Sequence, residues 1–191
     1  MSEEKRVPER LPLYLIAAIA TAPLLVACLL YQFWRPTSFT NYGRLLPPAS
    51  ILDAPLRQAD GSPFKFSDLK GKWVFLTVDS GRCEAACRDK LYKMRQVRLT
   101  QGEHMNRIER AWLIDDDIVP AEQIGKEYKG TRQLLARDSA VISQLPADTS
   151  VRDHIYIVDP LGNVMMRYGK DADPTGIKKD MTRLLKVSRI G

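Results

Sequence analysis

Cys83 and Cys87, in the segment GRCEAACRDK, are the residues of this chain whose type and spacing best suit chemistry. They follow an apolar run, Trp73 to Val78, and lead into a stretch with helical spacing. A thiolate at that junction meets the free N–H groups and the positive dipole end of a helix, which stabilise it. Arg82 and Arg88 add positive charge there, and Glu84 opposes it. On a regular helix, side chains at i and i+4 have Cβ atoms about 5–6 Å apart. A disulfide wants roughly 3.5–4.5 Å. An unbent helix therefore favours a metal held between two sulfurs, and soft thiolates select Cu(I) or zinc. A disulfide fits instead if Cys83 lies in the loop before the helix. The structural alternative is a stabilising disulfide or two buried free thiols, since exported domains commonly use cysteines that way.

Few other residues compete. His154 opens an apolar strand, where its plain role is a strand residue hydrogen-bonded at the sheet edge. His104, in QGEHMN, reads as solvated surface. Met165 and Met166 are soft donors, but adjacent strand positions face opposite ways, so packing explains them better. Asp115 to Asp117 read as a solvated strand end rather than a hard-cation site. No Walker loop, no G-x-G-x-x-G after a strand and no Ser-His-Asp grouping is present.

The elements that must position the cysteines follow from the pattern. Asp60-Gly61 marks a turn inside an N-terminal hairpin. WVFLTV (73–78) is a continuous apolar run of the kind found in a buried central strand. A helix runs from Glu84 to about Leu99. AWLI (111–114) is a second buried strand, and a helix starts after Pro120, where proline suits the first turn. A short helix covers Asp138 to Leu145. IYIV (155–158) and Val164 to Tyr168 form a hairpin around Asp159-Pro160-Leu161-Gly162-Asn163. The last helix spans Pro174 to Val187, with Ile177, Met181, Leu184 and Leu185 on one face. Strand, helix, strand, helix, strand, strand, helix is a thioredoxin-like α/β order.

Ahead of that domain, Leu11 to Trp34 carries no charge. At about 1.5 Å per residue it is long enough for a hydrocarbon core of about 30 Å. Tyr31, Phe33 and Trp34 resemble an interfacial aromatic belt rather than a cleavage site. Cys28, within this span, reads as a lipid-facing or packing residue. The organisation expected is a tail at 1–10, a transmembrane helix at 11–34, an extended proline-bearing linker at 35–50 and a domain at 51–191. Lys5, Arg6 and Arg10 outnumber Arg35 and Arg44, so the positive-inside bias puts the N-terminus in the cytoplasm. The soluble domain then lies in a periplasm, tethered to the inner membrane. The net charge of +6 is spread along the chain, with no basic run or aromatic-basic motif for nucleic acid.

With these motifs in place, the sequence resembles the Sco/SenC family of copper-dependent cytochrome oxidase assembly factors. LRQADGSPFKFSDLKGKWVFLTVDSGRCEAAC is similar to that family's turn, D-L-x-G-K segment, apolar strand and C-x3-C. WLIDDD, IYIVDPLGNVMMRYG and IKKDMTRLL resemble its later strand, hairpin and last helix. The resemblance implies that Cys83 and Cys87, with one downstream histidine for which His154 is the available residue, bind copper as Cu(I). It implies a copper chaperone or assembly factor rather than a turnover enzyme. Its partner would be respiratory oxidase subunit II or another exported cysteine protein. The chain departs from the family at Glu84 and Arg88, where prolines are usual, and at the histidine. The family position falls near Val151, three residues before His154, which shifts a strand side chain by about 10 Å and turns it to the other face. Two other readings stand beside this one: an exported thiol–disulfide oxidoreductase acting through Cys83 and Cys87, and a non-catalytic scaffold.

Overall fold

The computed structural model describes residues 10–33, 41–51, 53–188 and 190. It divides into two compact units at residues 40/41.

The first unit is one helix, α1 (Leu11–Phe33), long and apolar enough to cross a membrane. Pro23 lies within it, and the Thr21 hydroxyl donates to the Ala17 carbonyl at 2.9 Å, which satisfies its polar group inside an apolar helix. Cys28 is a free, exposed thiol. Trp34, the expected end of the span, and residues 1–9 of the expected tail lie outside the described residues.

The second unit is a sheet of eight described strands, β1 (Arg44–Ser50), β2 (Leu56–Gln58), β3 (Pro63–Phe64), β4 (Trp73–Asp79), β5 (Ile108–Ile114), β6 (Thr131–Leu135), β7 (His154–Val158) and β8 (Asn163–Gly169). Their spatial order is β1-β8-β7-β4-β5-β6-β2-β3. β4, β5 and β6 run parallel, and the other pairings are antiparallel. The parallel centre requires crossovers, supplied by α2 (Ala85–Leu99) and α3 (Glu122–Glu127). A one-turn helix, α4 (Ala140–Ser143), precedes β7, and α5 (Pro174–Val187) closes the chain.

β4 is buried along nearly its whole length because both sheet faces are covered, as its unbroken apolar run requires. On one face Phe75, Ile155 and Ile157 pack against Met94 and Val97 of α2 and Ile177, Met181 and Leu185 of α5. On the other, Leu76, Val78, Leu113 and Tyr156 pack against Phe64, Phe66, Val141 and Leu145. The α5 boundaries match the sequence expectation. Asp173 caps the helix by accepting from Thr175 N–H at 2.9 Å, and Pro174 takes the first turn.

Three expectations need correction. The linker expected at 35–50 is, from residue 41 onward, part of the domain. Asp180, 1% exposed, accepts from the N–H groups of Tyr42 and Gly43 at 3.1 and 2.8 Å, and Tyr42 lies across Gly176, where a Cβ would meet its ring at 2.3 Å. The chain then pairs with β8 as β1. Pro47 and Pro48 are tolerated because β1 is an edge strand whose register slips between Leu45 and Ala49. The sequence pattern does not predict β6, because its TRQLL lacks an apolar run and alternation is weak in a half-buried strand. Finally, Met165 does not point away from Met166: a bulge between Ile157 and Val158 takes it out of register, and both methionines pack toward the α5 side.

Candidate thiol site

The cysteines stand where β4 passes into α2. Ser80-Gly81-Arg82 turn the chain, and Cys83 N–H donates to Ser80 O at 3.0 Å. Cys83 itself has φ of 44°, in the left-handed region. Glu84 is extended at the N-cap, and the helix begins only at Ala85. Cys83 is therefore a loop residue, and Cys87 is in the first turn of α2. This bend brings the Cα atoms to 5.0 Å, and the two form a disulfide. Of the geometries open from sequence, the structure takes the one with the first cysteine off the helix.

The pair is enclosed. Cys83 and Cys87 are each 1% exposed, packed with Leu91, Trp112, Ile114, Ile124 and Tyr128. The loop after β5 lies against the turn: a Cβ on Gly81 would fall 1.6 Å from the Ile118 carbonyl oxygen. Asp116 holds that loop, since Oδ1 accepts from Gly81 N–H at 3.0 Å and Ile118 N–H at 3.1 Å. Burial raises the Asp116 pKa, but the Ser80 hydroxyl and these N–H groups outweigh it and set it below the ordinary value.

A charged network lies beside the disulfide. Lys90, fully buried, meets Asp79 Oδ2 at 2.9 Å and donates to the carbonyls of Val78 at 2.9 Å and Arg152 at 2.5 Å. Arg152 forks onto Asp115 with both contacts at 2.7 Å. Arg88 Nε donates to Cys83 O at 3.3 Å. Asp117 pairs with Arg137. Within the acidic run Asp115 and Asp116 are anchored side chains, while Asp117 is exposed, as a solvated strand end would be. Sequence reading missed Lys90. The available signal was a lysine in step with Cys87, Leu91, Met94 and Val97 on the apolar stripe of α2.

His154 is not brought to the cysteines. It alternates with Ile155 and so shares the face of Tyr156, whose ring it meets edge-on at 5.7 Å. The cysteines pack with Trp112 and Ile114, on the opposite face. Val151, the family position, lies in a 3-10 turn ahead of β7 and also packs toward the Tyr156 cluster, so strand alternation does not separate the two positions. β7 is an internal strand, and both imidazole nitrogens are closed to solvent without a partner in hydrogen-bond geometry, so the edge role does not hold either. Burial and the nearby Arg167 lower its pKa. His104 is half exposed, with Glu103 at 4.0 Å. Among the described residues no group of three or more His, Cys, Asp or Glu side chains is arranged to hold a metal ion. Reduced, Cys83 and Cys87 would offer two soft sulfur donors, a set that suits Cu(I) better than a hard cation.

A disulfide at a central β4–α2 junction, in a mixed sheet flanked by helices, defines a thioredoxin-like protein. The family described as "Transmembrane-like, thioredoxin-like, C-terminal domain" matches residues 73–188, and the chain belongs to it. Among solved structures it is similar to yeast Sco1 with copper bound, at 18% identity and a TM-score of 0.59 over 73% of this chain and 96% of that one. Arabidopsis thaliana ScoI with copper bound gives 16% identity and 0.58 over 73% and 100%. A putative protein disulfide isomerase from Bacteroides thetaiotaomicron gives 14% and 0.57 over 78% and 95%. At these identities the likeness establishes the fold. No curated protein matches the chain.

Proposed function

We propose that this chain is a membrane-anchored, Sco-like thiol protein. Its reduced Cys83 and Cys87 take up Cu(I), and it assists assembly of the copper site of a respiratory cytochrome c oxidase. The carrying observation is the placement of the two sulfurs together at the β4–α2 junction of a fold shared with copper-bound Sco structures. α1 serves as the single inner-membrane span, with the N-terminus cytoplasmic and the thioredoxin-like domain periplasmic, facing oxidase subunit II or another exported cysteine protein. The two thiolates form the core of the ligand set. His154 joins it only if the first residue of β7 turns to the other face.

The closed disulfide favours a second reading, an exported thiol–disulfide oxidoreductase. A Cu(I) titration of the reduced full chain in maltoside micelles, beside Cys83→Ser and His154→Ala, separates the two. Stoichiometric binding lost with Cys83 supports the copper carrier, and the His154→Ala affinity measures that residue's part. Absence of binding in the reduced wild type sinks it. A reversible Cys83–Cys87 couple then leaves the oxidoreductase, and an unreactive pair leaves a scaffold.

A further inference from the structure

Arg110 projects from β5 toward α2 and is 4% exposed. One guanidinium nitrogen, Nη2, donates to Lys129 O at 2.7 Å. Nε and Nη1 are closed to solvent and have no partner. Among the described residues no carboxylate pairs with the group: Glu109, the smallest of the effects acting on it, belongs to the other sheet face and lies 3.7 Å from Arg132. The larger charge effects on it come instead from like charges, Arg98 and Arg95 of α2. Burial first, and these two arginines next, push the Arg110 pKa down to about 10. Arg98 Nε is held on Ile108 O at 2.7 Å. Directly beside Arg110 in the parallel β5–β6 register stands Thr131, whose hydroxyl is also buried without a partner. The Lys129–Gly130 turn closes the other side; Gly130 has φ of +85°, and a Cβ there would come within 3.0 Å of Arg110 Nη2.

An unpaired buried charge is strongly destabilising, and native structures rarely leave two donors of one side chain unmade. Unmade guanidinium and hydroxyl donors side by side, with two further arginines adding positive charge, suit an oxyanion. We propose that Arg110 and Thr131, with Arg95 and Arg98 supplying charge, bind a phosphate group between the C-terminal half of α2 and the α3–β6 turn. The site is separate from the cysteines and independent of the copper reading. The phosphate is either a free ion or the monoester of an organic molecule, which present the same oxygens to the guanidinium.

The test uses the full chain in maltoside micelles in chloride buffer of matched ionic strength. Inorganic phosphate and glycerol 3-phosphate are titrated by calorimetry, and Tm is followed. Wild type should show saturable binding and a rising Tm. Arg110→Met and Thr131→Val should each weaken binding by about tenfold or more. In phosphate-free chloride, Arg110→Met should melt no lower than wild type, because it removes a charge with no counterion. Binding of inorganic phosphate alone identifies the free ion, and binding of both identifies a monoester-competent site. The proposal is overturned if neither compound does more than chloride. It is also overturned if both variants keep the phosphate response while Arg110→Met melts lower in every buffer, which would make Arg110 only a prop for Lys129 O.

Discussion

Lys90 Nζ lies 2.9 Å from Asp79 Oδ2, and the lysine side chain is wholly closed to solvent. The contact ties the end of β4 to α2, and the Arg152 carbonyl adds the turn before β7. The end of β4, α2 and the turn before β7 therefore share one buried ammonium. Its burial lowers the Lys90 pKa, and Asp79 pulls it back up. Replacing Lys90 by Met leaves Asp79 and two carbonyls without their donor. The expected loss of stability is about 3–5 kcal/mol, and Lys90→Met with Asp79→Leu should recover much of it. Urea unfolding of the full chain checks both; a single variant within about 0.5 kcal/mol of wild type contradicts the pairing.

Gly81 is the contact point between the cysteine turn and the Ile118 loop. Alanine there cannot coexist with the present loop position, since its Cβ would overlap the Ile118 carbonyl. The loop should stand off, exposing the disulfide. Reduction of Cys83–Cys87 by dithiothreitol, followed by thiol labelling, should be faster by about tenfold, equivalent to about 1.4 kcal/mol of easier opening. An unchanged rate means that the loop does not limit access.

Asp116 makes the same closure depend on pH. Its folded pKa is below the ordinary 3.8, so its contribution is complete above that value and is lost as pH falls through the lowered one. Asp116→Asn should therefore be less stable than wild type at neutral pH, and the gap should close in acid. A gap independent of pH would show that the charge of Asp116 contributes nothing.

His154 has a depressed pKa for the opposite kind of group. Burial is the largest cause and Arg167 the next; Asp148, Asp153 and the Tyr168 backbone pull the other way. The unfolded chain takes up a proton at higher pH than the folded one. Stability is intact above the ordinary 6.5 and declines as pH falls below it. Thermal melts from about pH 8 to about pH 5 should show a steeper decline for wild type than for His154→Phe. Parallel curves would mean that His154 is not the titrating group.

The thiol junction was legible because it depends on local signals: an apolar run, a turn and a helix start. α5 was legible for the same reason, with Asp173, Pro174 and a clean apolar stripe marking its limits. What escaped depends on partners distant in sequence. β1 carries two prolines and becomes a strand only because β8 offers an edge and Asp180 fixes Tyr42 and Gly43. β6 is amphipathic at most, and is held by β5 and β2 rather than by its own composition. His154 was placed correctly in a strand, yet its relation to the cysteines turned on which face it occupies, and only the sheet register decides that. The Cys83–Cys87 spacing left metal and disulfide geometries open, and one left-handed residue selected the latter.

The sheet ends in proline on both sides. β1 carries Pro47 and Pro48, and β3 begins with Pro63. A proline has no N–H to offer an incoming strand, and a two-residue or bulged edge gives little length to pair with. A protein that brings many copies into one membrane plane raises their local concentration, and exposed strand edges would then recruit one another. Proline at both margins of the described sheet works against that route.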